Sequence, residues 1–175
     1  VKFDAVSGNR LWATYYGGSG NDMGNCVTES TGNVYLTGNT QSASGISSGG
    51  HQNTFGGNLD AYLVKFNSSG VRQWATYYGS IGSDYVYSCA LDALGNIYMA
   101  GSTNSPGNIA SGGHQNSIGG SDDAILVKFN PSGVMQWATY YGGAGYDVGE
   151  SCTTDVSGNV YLAGAAQSSL GISSG

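Results

Sequence analysis

Carboxylates are the side chains in this chain with most chemistry to offer, and they recur in register. Asp22, Asp84 and Asp147 each follow a Tyr-Tyr-Gly segment, Asp60 and Asp123 each open a run ending Leu-Val-Lys-Phe, and Glu29, Asp92 and Asp155 form a third set. Gathered from adjoining loops, such groups could ligate Ca²⁺, which takes several oxygens at about 2.3–2.6 Å. No Asp-x-Asp-x-Asp cluster favours calcium. The simpler expectation is that each carboxylate caps a turn by accepting backbone N–H bonds. Asp60 with Lys65, and Asp123 with Lys128, are alternative candidates for partly buried pairs holding neighbouring units together.

His51 and His114 recur in Gly-Gly-His-Gln-Asn. One His per unit, with no Ser, Cys or Glu placed to complete a triad, is poor material for nucleophilic catalysis. A role in metal or glycan binding is the minor reading, and a structural crossing rich in Ser and Gly the major one. Cys26, Cys89 and Cys152 occupy one position in successive units. Metal motifs need ligands close together or paired, so a small buried hydrophobe is expected. A disulfide would require Cα atoms within about 7 Å. Tyr15, Tyr16, Tyr77, Tyr78, Tyr140 and Tyr141, with Trp12, Trp74 and Trp137, could stack on sugars if exposed. Their repetition at one strand position points instead to packing between units. The Gly-Gly pairs are turn residues, because no phosphate loop with a following Lys-Ser/Thr occurs. No catalytic residue, resident metal or cofactor is predicted.

The elements that position these residues are repeated units. Trp74 and Trp137 lie 63 residues apart, as do Phe3, Phe66 and Phe129. Gln73-Trp-Ala-Thr-Tyr-Tyr78 recurs as Gln136-Trp-Ala-Thr-Tyr-Tyr141, with Leu11-Trp-Ala-Thr-Tyr-Tyr16 as a first copy. In the second copy four strand-like stretches are expected: Asp60 to Phe66, Val71 to Tyr78, Tyr87 to Asp92 and Asn96 to Ser102. Each is rich in aromatic and β-branched residues and bounded by Gly, Asn or Ser. Asn67-Ser-Ser-Gly70 and Asn130-Pro-Ser-Gly133 put an Asx side chain at the start of a turn and Gly where positive φ is favoured. Asp92-Ala-Leu-Gly-Asn96 and Asp155-Val-Ser-Gly-Asn159 do the same.

The strands show no fully polar face: Tyr62, Val64 and Phe66 oppose Ala61, Leu63 and Lys65. A sheet wet on one side alternates apolar and polar residues, whereas radially stacked propeller blades are covered on both sides. The fold class expected is all-β: a β-propeller-type array of four-stranded antiparallel blades of about 63 residues, in nearly three copies. Residues 1–175 form a single array, with units near 1–63, 64–126 and 127–175, the last incomplete. A parallel β-helix is the main rival, but its coils are shorter and lack repeated hairpin signals.

The unit Tyr-Tyr-Gly-Gly, Asp five to six residues on, Asp-x-x-Gly-Asn-Val-Tyr-Leu-x-Gly, then Gly-Gly-x-x-Asp-Ala-x-Leu-Val-Lys-Phe resembles the bacterial SBBP repeat, named for a seven-bladed β-propeller. The resemblance implies a large secreted or cell-surface protein with many repeats and no assigned catalytic residue. It supplies no site.

Charge narrows the partners. A net charge of −6 and only 5 Lys plus Arg argue against nucleic acid, whose binding needs clustered cations. Charged residues are 9%, against about 25% in an ordinary globular chain. No apolar run approaches the roughly 20 residues of a membrane helix. The chain opens on Val-Lys-Phe without Met or a visible signal peptide, which suggests a processed or excerpted segment. The first unit starts inside its Leu-Val-Lys-Phe strand and the last stops at Ile172-Ser-Ser-Gly175. Half-blades are therefore expected at both ends, completed by further blades of the same protein, by ring closure between copies, or by head-to-tail joining into a filament. Unpaired strand edges should not persist in water, so the isolated chain is not expected to be a stable monomer. The expected function is a non-catalytic structural or adhesive module, extracellular or on the cell surface. The alternative is a ligand-binding propeller for glycan or protein, with or without Ca²⁺. Positions differing between copies, Arg72 against Met135 and Tyr85-Val-Tyr87 against Val148-Gly-Glu150, are where a ligand would be read.

Overall fold

The computed structural model describes residues 1–29 and 31–169, and the Ile172–Gly175 match to the Ile46 segment lies outside them. Twelve strands are present among the described residues, each joined to the next by a turn or loop without a helix. β1 (Lys2–Phe3) and β2 (Arg10–Trp12) form a hairpin. β3 (Asp22–Thr28), β4 (Val34–Thr40), β5 (Asp60–Phe66) and β6 (Arg72–Tyr78) form the first four-stranded sheet in that order. β7 (Asp84–Leu91), β8 (Ile97–Thr103), β9 (Asp123–Phe129) and β10 (Met135–Tyr141) form the second. β11 (Asp147–Thr154) and β12 (Val160–Ala166) form a closing hairpin. All pairings are antiparallel. No helix among the described residues is long and apolar enough to cross a membrane.

The hairpins form where the turn chemistry directs. Asn67 Oδ1 accepts from Ser69 N at 3.0 Å and Val71 N at 2.9 Å, while Gly70 takes φ +80°. The β9–β10 turn repeats this at Asn130, with Gly133 at φ +81°. Side-chain oxygen and glycine together supply the bonds and the left-handed step that a tight turn needs. Between β4 and β5 the chain takes a long crossing over residues 41–59. It runs along the outer edge of β6, where Ser48 and Ala75 exchange N–H···O bonds and Tyr77 N donates to Gln52 O. The second sheet has the same arrangement at Ser111–Ala138 and Gln115–Tyr140. An edge that would otherwise template foreign strands is thereby covered.

The sheets pack face to face. β7 lies against β3, β4 and β5, and β11 against β7, β8 and β9. Every residue of β8 is buried, and Tyr35, Leu63, Met99, Ile125, Val127 and Phe129 belong to one core cluster spanning both sheets. Burial on both faces explains why these strands lack an apolar-polar alternation.

Each sheet takes its strands from two sequence units. The Cys26 and Val34 strands of one copy join the Leu63 and Trp74 strands of the next. Lys65 pairs with Glu29, at 3.9 Å, and its Nζ lies 5.0 Å from the Tyr35 ring centroid. The pairing with Asp60 suggested by sequence does not form, because residues five apart on a strand face opposite sides. Lys128 behaves alike, sitting 5.3 Å above Tyr98.

Candidate functional site

The recurrent residues gather at the junctions between neighbouring sheets. Trp74, near the start of β6, reaches into the next sheet, donating from Nε1 to Pro131 O at 3.3 Å. Trp12 does the same to Ser68 O at 3.0 Å. The indoles lie on the turn glycines, so that a Cβ on Gly133 would fall 2.9 Å from Trp74 Cδ2, and on Gly70 2.8 Å from Trp12 Cδ2. Glycine is needed there twice over, for φ and for space.

The two tyrosines of each doublet divide the work. Tyr77 Oη donates to Ser42 O and Tyr140 Oη to Ser105 O, both at 2.8 Å, tying the fourth strand to its own crossing loop. Tyr78 Oη instead reaches the next sheet's loop at Ile109 O, 2.5 Å, and Tyr16 Oη reaches Ile46 O. Burial pushes the Tyr16 phenol up to about 12 and raises Tyr78 as well, so both remain donors in neutral water. Tyr15 is exposed, there being no crossing loop beside it among the described residues.

The Asp22, Asp84 and Asp147 carboxylates fasten the segment between sheets to the start of the crossing. Asp84 Oδ2 accepts from Ser80 N at 2.8 Å and Ser105 Oγ at 3.0 Å, and Oδ1 accepts from Thr103 Oγ1. Asp22 takes the equivalent bonds from Gly18 N, Ser42 Oγ and Thr40 Oγ1. At Asp147 the threonine is replaced by Ala166, and Gln167 N and Ser168 N fill Oδ1 at 3.1 and 3.2 Å, with Ser168 Oγ on Oδ2 at 2.6 Å. Burial raises the Asp84 carboxyl, opposed by these donors. At Asp147 burial pushes the same way, but the Ser168 and Gly143 bonds outweigh it, and the carboxyl falls below its usual value.

Asp60 and Asp123 open β5 and β9 and are fully buried. Asp60 Oδ2 accepts from Gly56 N at 2.7 Å and Gln52 Nε2 at 3.3 Å; Asp123 Oδ2 accepts from Gly119 N and Gln115 Nε2, both at 2.8 Å. In both residues Oδ1 is buried with no hydrogen-bond partner. Burial pushes the Asp60 carboxyl up to about 6, with the Asp84 charge adding to the effect, and raises Asp123.

His51 packs edge-on to Phe129 of the next sheet, at 6.1 Å between centroids, and burial lowers its pKa. His114 lies 6.4 Å from Tyr141. The Cys152 thiol is buried, 3.6 Å from Tyr98 O, and burial raises it. The Cys26 side chain lies outside the described residues. Among the described residues, no group of three or more His, Cys, Asp and Glu side chains gathers as metal ligands do. Sequence reasoning missed the glutamines and the Thr-x-Ser motif that serve these carboxylates. The signal was present: Thr40-Gln-Ser42 recurs as Thr103-Asn-Ser105.

Stacked, double-sided four-stranded sheets joined by repeated side-chain clasps define a β-propeller-type repeat array. The SBBP family model, described as a beta-propeller repeat, matches residues 73–108 and again 136–171. The resemblance to the SBBP repeat carried by the Tyr-Tyr-Gly and Gly-Asn-Val-Tyr segments is therefore shown over those two matched stretches. It is also similar to an uncharacterised WD repeat-containing protein of Acanthamoeba polyphaga mimivirus, at 28% identity over 122 residues. That match covers 63% of this chain and 9% of the viral protein.

Proposed function

We propose that this chain is a non-catalytic scaffold segment of a secreted or cell-surface protein, in which stacked blades build an adhesive or fibrous body. One observation carries the reading: the recurrent groups with chemical capacity are engaged in joints. Asp22, Asp84 and Asp147 accept from the protein's own donors, and Trp74 and Tyr78 clasp the neighbouring sheet. The low charge and the SBBP repeats support the extracellular setting.

Continuation of the stack by further blades of the same protein, or by self-association, belongs to the same proposal. β11–β12 is the counterpart of β3–β4 and β7–β8, while β1–β2 is the counterpart of β5–β6 and β9–β10. In each complete sheet the second strand pairs with a third, as β4 does with β5; β12 has no such neighbour among the described residues. Negative-stain electron microscopy of the native material tests the proposal. Fibres or rings built on a blade-sized repeat are expected, and a dispersed population of single small particles would contradict it.

A second reading, a ligand-binding propeller, is favoured by the partly exposed Tyr85 and Tyr87. Their rings stack at 6.0 Å and 9°. They stand where the other copies have Met23 and Val148, and Asn25 and Glu150. Glycan-array binding that is lost in Tyr85→Ala/Tyr87→Ala would establish that reading instead.

A further inference from the structure

Two carboxylates converge at the two junctions that follow β6 and β10, and they lack a counter-charge. A Cβ built on Gly79 would lie 2.6 Å from Asp60 Oδ1 and 2.8 Å from Asp84 Oδ2, so both oxygens press on one glycine from neighbouring sheets. Gly142 stands in the same relation to Asp123 Oδ1, at 2.7 Å, and Asp147 Oδ2, at 2.9 Å. Asp60, Asp84 and Asp123 are wholly buried and Asp147 is 2% exposed. Among the described residues none of the four forms an ion pair with Lys, Arg or His.

The donors are unevenly shared. Asp84 accepts from three groups on its two oxygens, as a carboxylate does. Asp60 and Asp123 have donors on Oδ2 only, and each turns a bare Oδ1 toward its partner. A buried carboxylate oxygen with neither donor nor cation is costly, and protonation removes the charge at once. Two such groups close together take up one proton as a pair.

We propose that these two junctions are proton-binding sites, holding one proton on the pair Asp60–Asp84 and one on Asp123–Asp147, so that adjoining sheets tighten in mildly acidic medium and loosen above neutrality. The groups facing the first pair are Tyr77 of β6, Gln52 and Gly56 of the crossing, Ser80 of the linking segment, Thr103 at the end of β8 and Ser105 beyond it. Tyr78 and Tyr140 also feel Asp84. The second pair is faced by Tyr140 of β10, Gln115, Gly119, Gly143 and Ser168, with Asp122 as an additional negative neighbour. Tyrosine, serine, threonine and glutamine are neutral near pH 6, so the carboxyls set the response.

The sign follows from linkage. A carboxyl whose folded pKa lies above its unfolded value binds more protons in the native state. Its contribution is complete below about pH 3.8 and is lost as pH rises through the folded value, about 6 for Asp60.

Carboxyl ¹³C NMR on the full chain, followed from pH 3 to 8, reads the pairs directly. Asp60 titrating near pH 6, and Asp123 above the usual carboxylate range, is the expected result; every aspartate titrating below pH 5 would overturn the proposal. Thermal unfolding across pH 5 to 7.5 gives a second readout. The wild-type midpoint should fall over that interval, and Asp60→Asn with Asp123→Asn should flatten the fall. An unchanged slope would count against the proposal. A wild-type midpoint at pH 7.5 that rises in millimolar Ca²⁺ and drops with EDTA would also overturn it, by making a metal ion the counter-charge.

Discussion

Trp74 lies with its indole face against Gly133, a turn residue of the neighbouring sheet, at a distance that admits no side chain. The contact couples a backbone requirement in one sheet to an aromatic anchor in the other. Gly158 is the natural comparison, since it has φ +83° beside +81° at Gly133 but nothing within 4 Å of a built Cβ. Gly158→Ala meets backbone strain alone, whereas Gly133→Ala meets strain and the indole. Gly133→Ala is expected to destabilise by about 1–3 kcal/mol more, the usual range for overpacking. Urea unfolding of the two variants measures the difference, and equal losses would remove the Trp74 contact from the account.

The tyrosine doublet allows a subtractive test. Tyr78→Phe removes the bond to the Ile109 carbonyl between sheets, and Tyr77→Phe removes the bond to the Ser42 carbonyl within one. Each leaves a buried carbonyl without its donor and should cost about 1–3 kcal/mol. Tyr15→Phe, at a fully exposed ring in the position of Tyr77, should be silent. Chemical denaturation of the three variants checks this ordering.

The Asp84 cap should be sensitive to its hydroxyl donors. Thr103→Val keeps the shape and β-branching but removes the donor to Oδ1. A buried carboxylate stripped of one donor should cost on the order of 1–3 kcal/mol. Thermal melts at pH 7 provide the measurement. The third copy already carries Ala166 here, and there the carboxylate has turned to backbone N–H groups. A Thr103→Val loss close to zero would mean that the second copy can make the same adjustment.

The hairpin aspartate opposes the junction pair in its pH response. At Asp92 burial alone would raise the carboxyl, but bonds from Asn96, Leu94 and Tyr98 outweigh it and the net shift is downward. A depressed folded pKa gives stability that is present above the unfolded value, 3.8, and lost as pH falls through the folded one. Asp92→Asn, which cannot lose a charge in acid, should therefore flatten the fall in stability between pH 4 and 2. Melting midpoints over that range check the sign.

Much of the architecture was legible because hairpin signals recur with the period. The stretch expected from Asp60 to Phe66 is β5 as observed, and Val71 to Tyr78 differs from β6 by one residue. The strand expected to begin at Tyr87 begins at Asp84, since that aspartate already pairs with Thr103 across the ladder. Read as a turn former, it hid the strand start. The phase of the repeat was not legible. A periodic sequence does not state which neighbours share a sheet, and here the partners are joined through the long Ser- and Gly-rich crossing rather than the short Tyr-Tyr-Gly link. Nor could spacing distinguish Tyr77 from Tyr78: adjacent on one strand, they point to opposite faces and so serve different sheets. The convergence of Asp60 with Asp84 on Gly79 is tertiary, and their separation of 24 residues carries no local signal.

Native-state hydrogen exchange on wild type and Trp74→Ala tests the central claim, that clasps between sheets make the array cooperative. Truncating this largely buried indole removes about 3–5 kcal/mol of packing. Protection should fall together in β4–β5 and β8–β9, on both sides of the junction. Loss confined to β6 and its adjoining turn, with β8–β9 unchanged, would contradict the account.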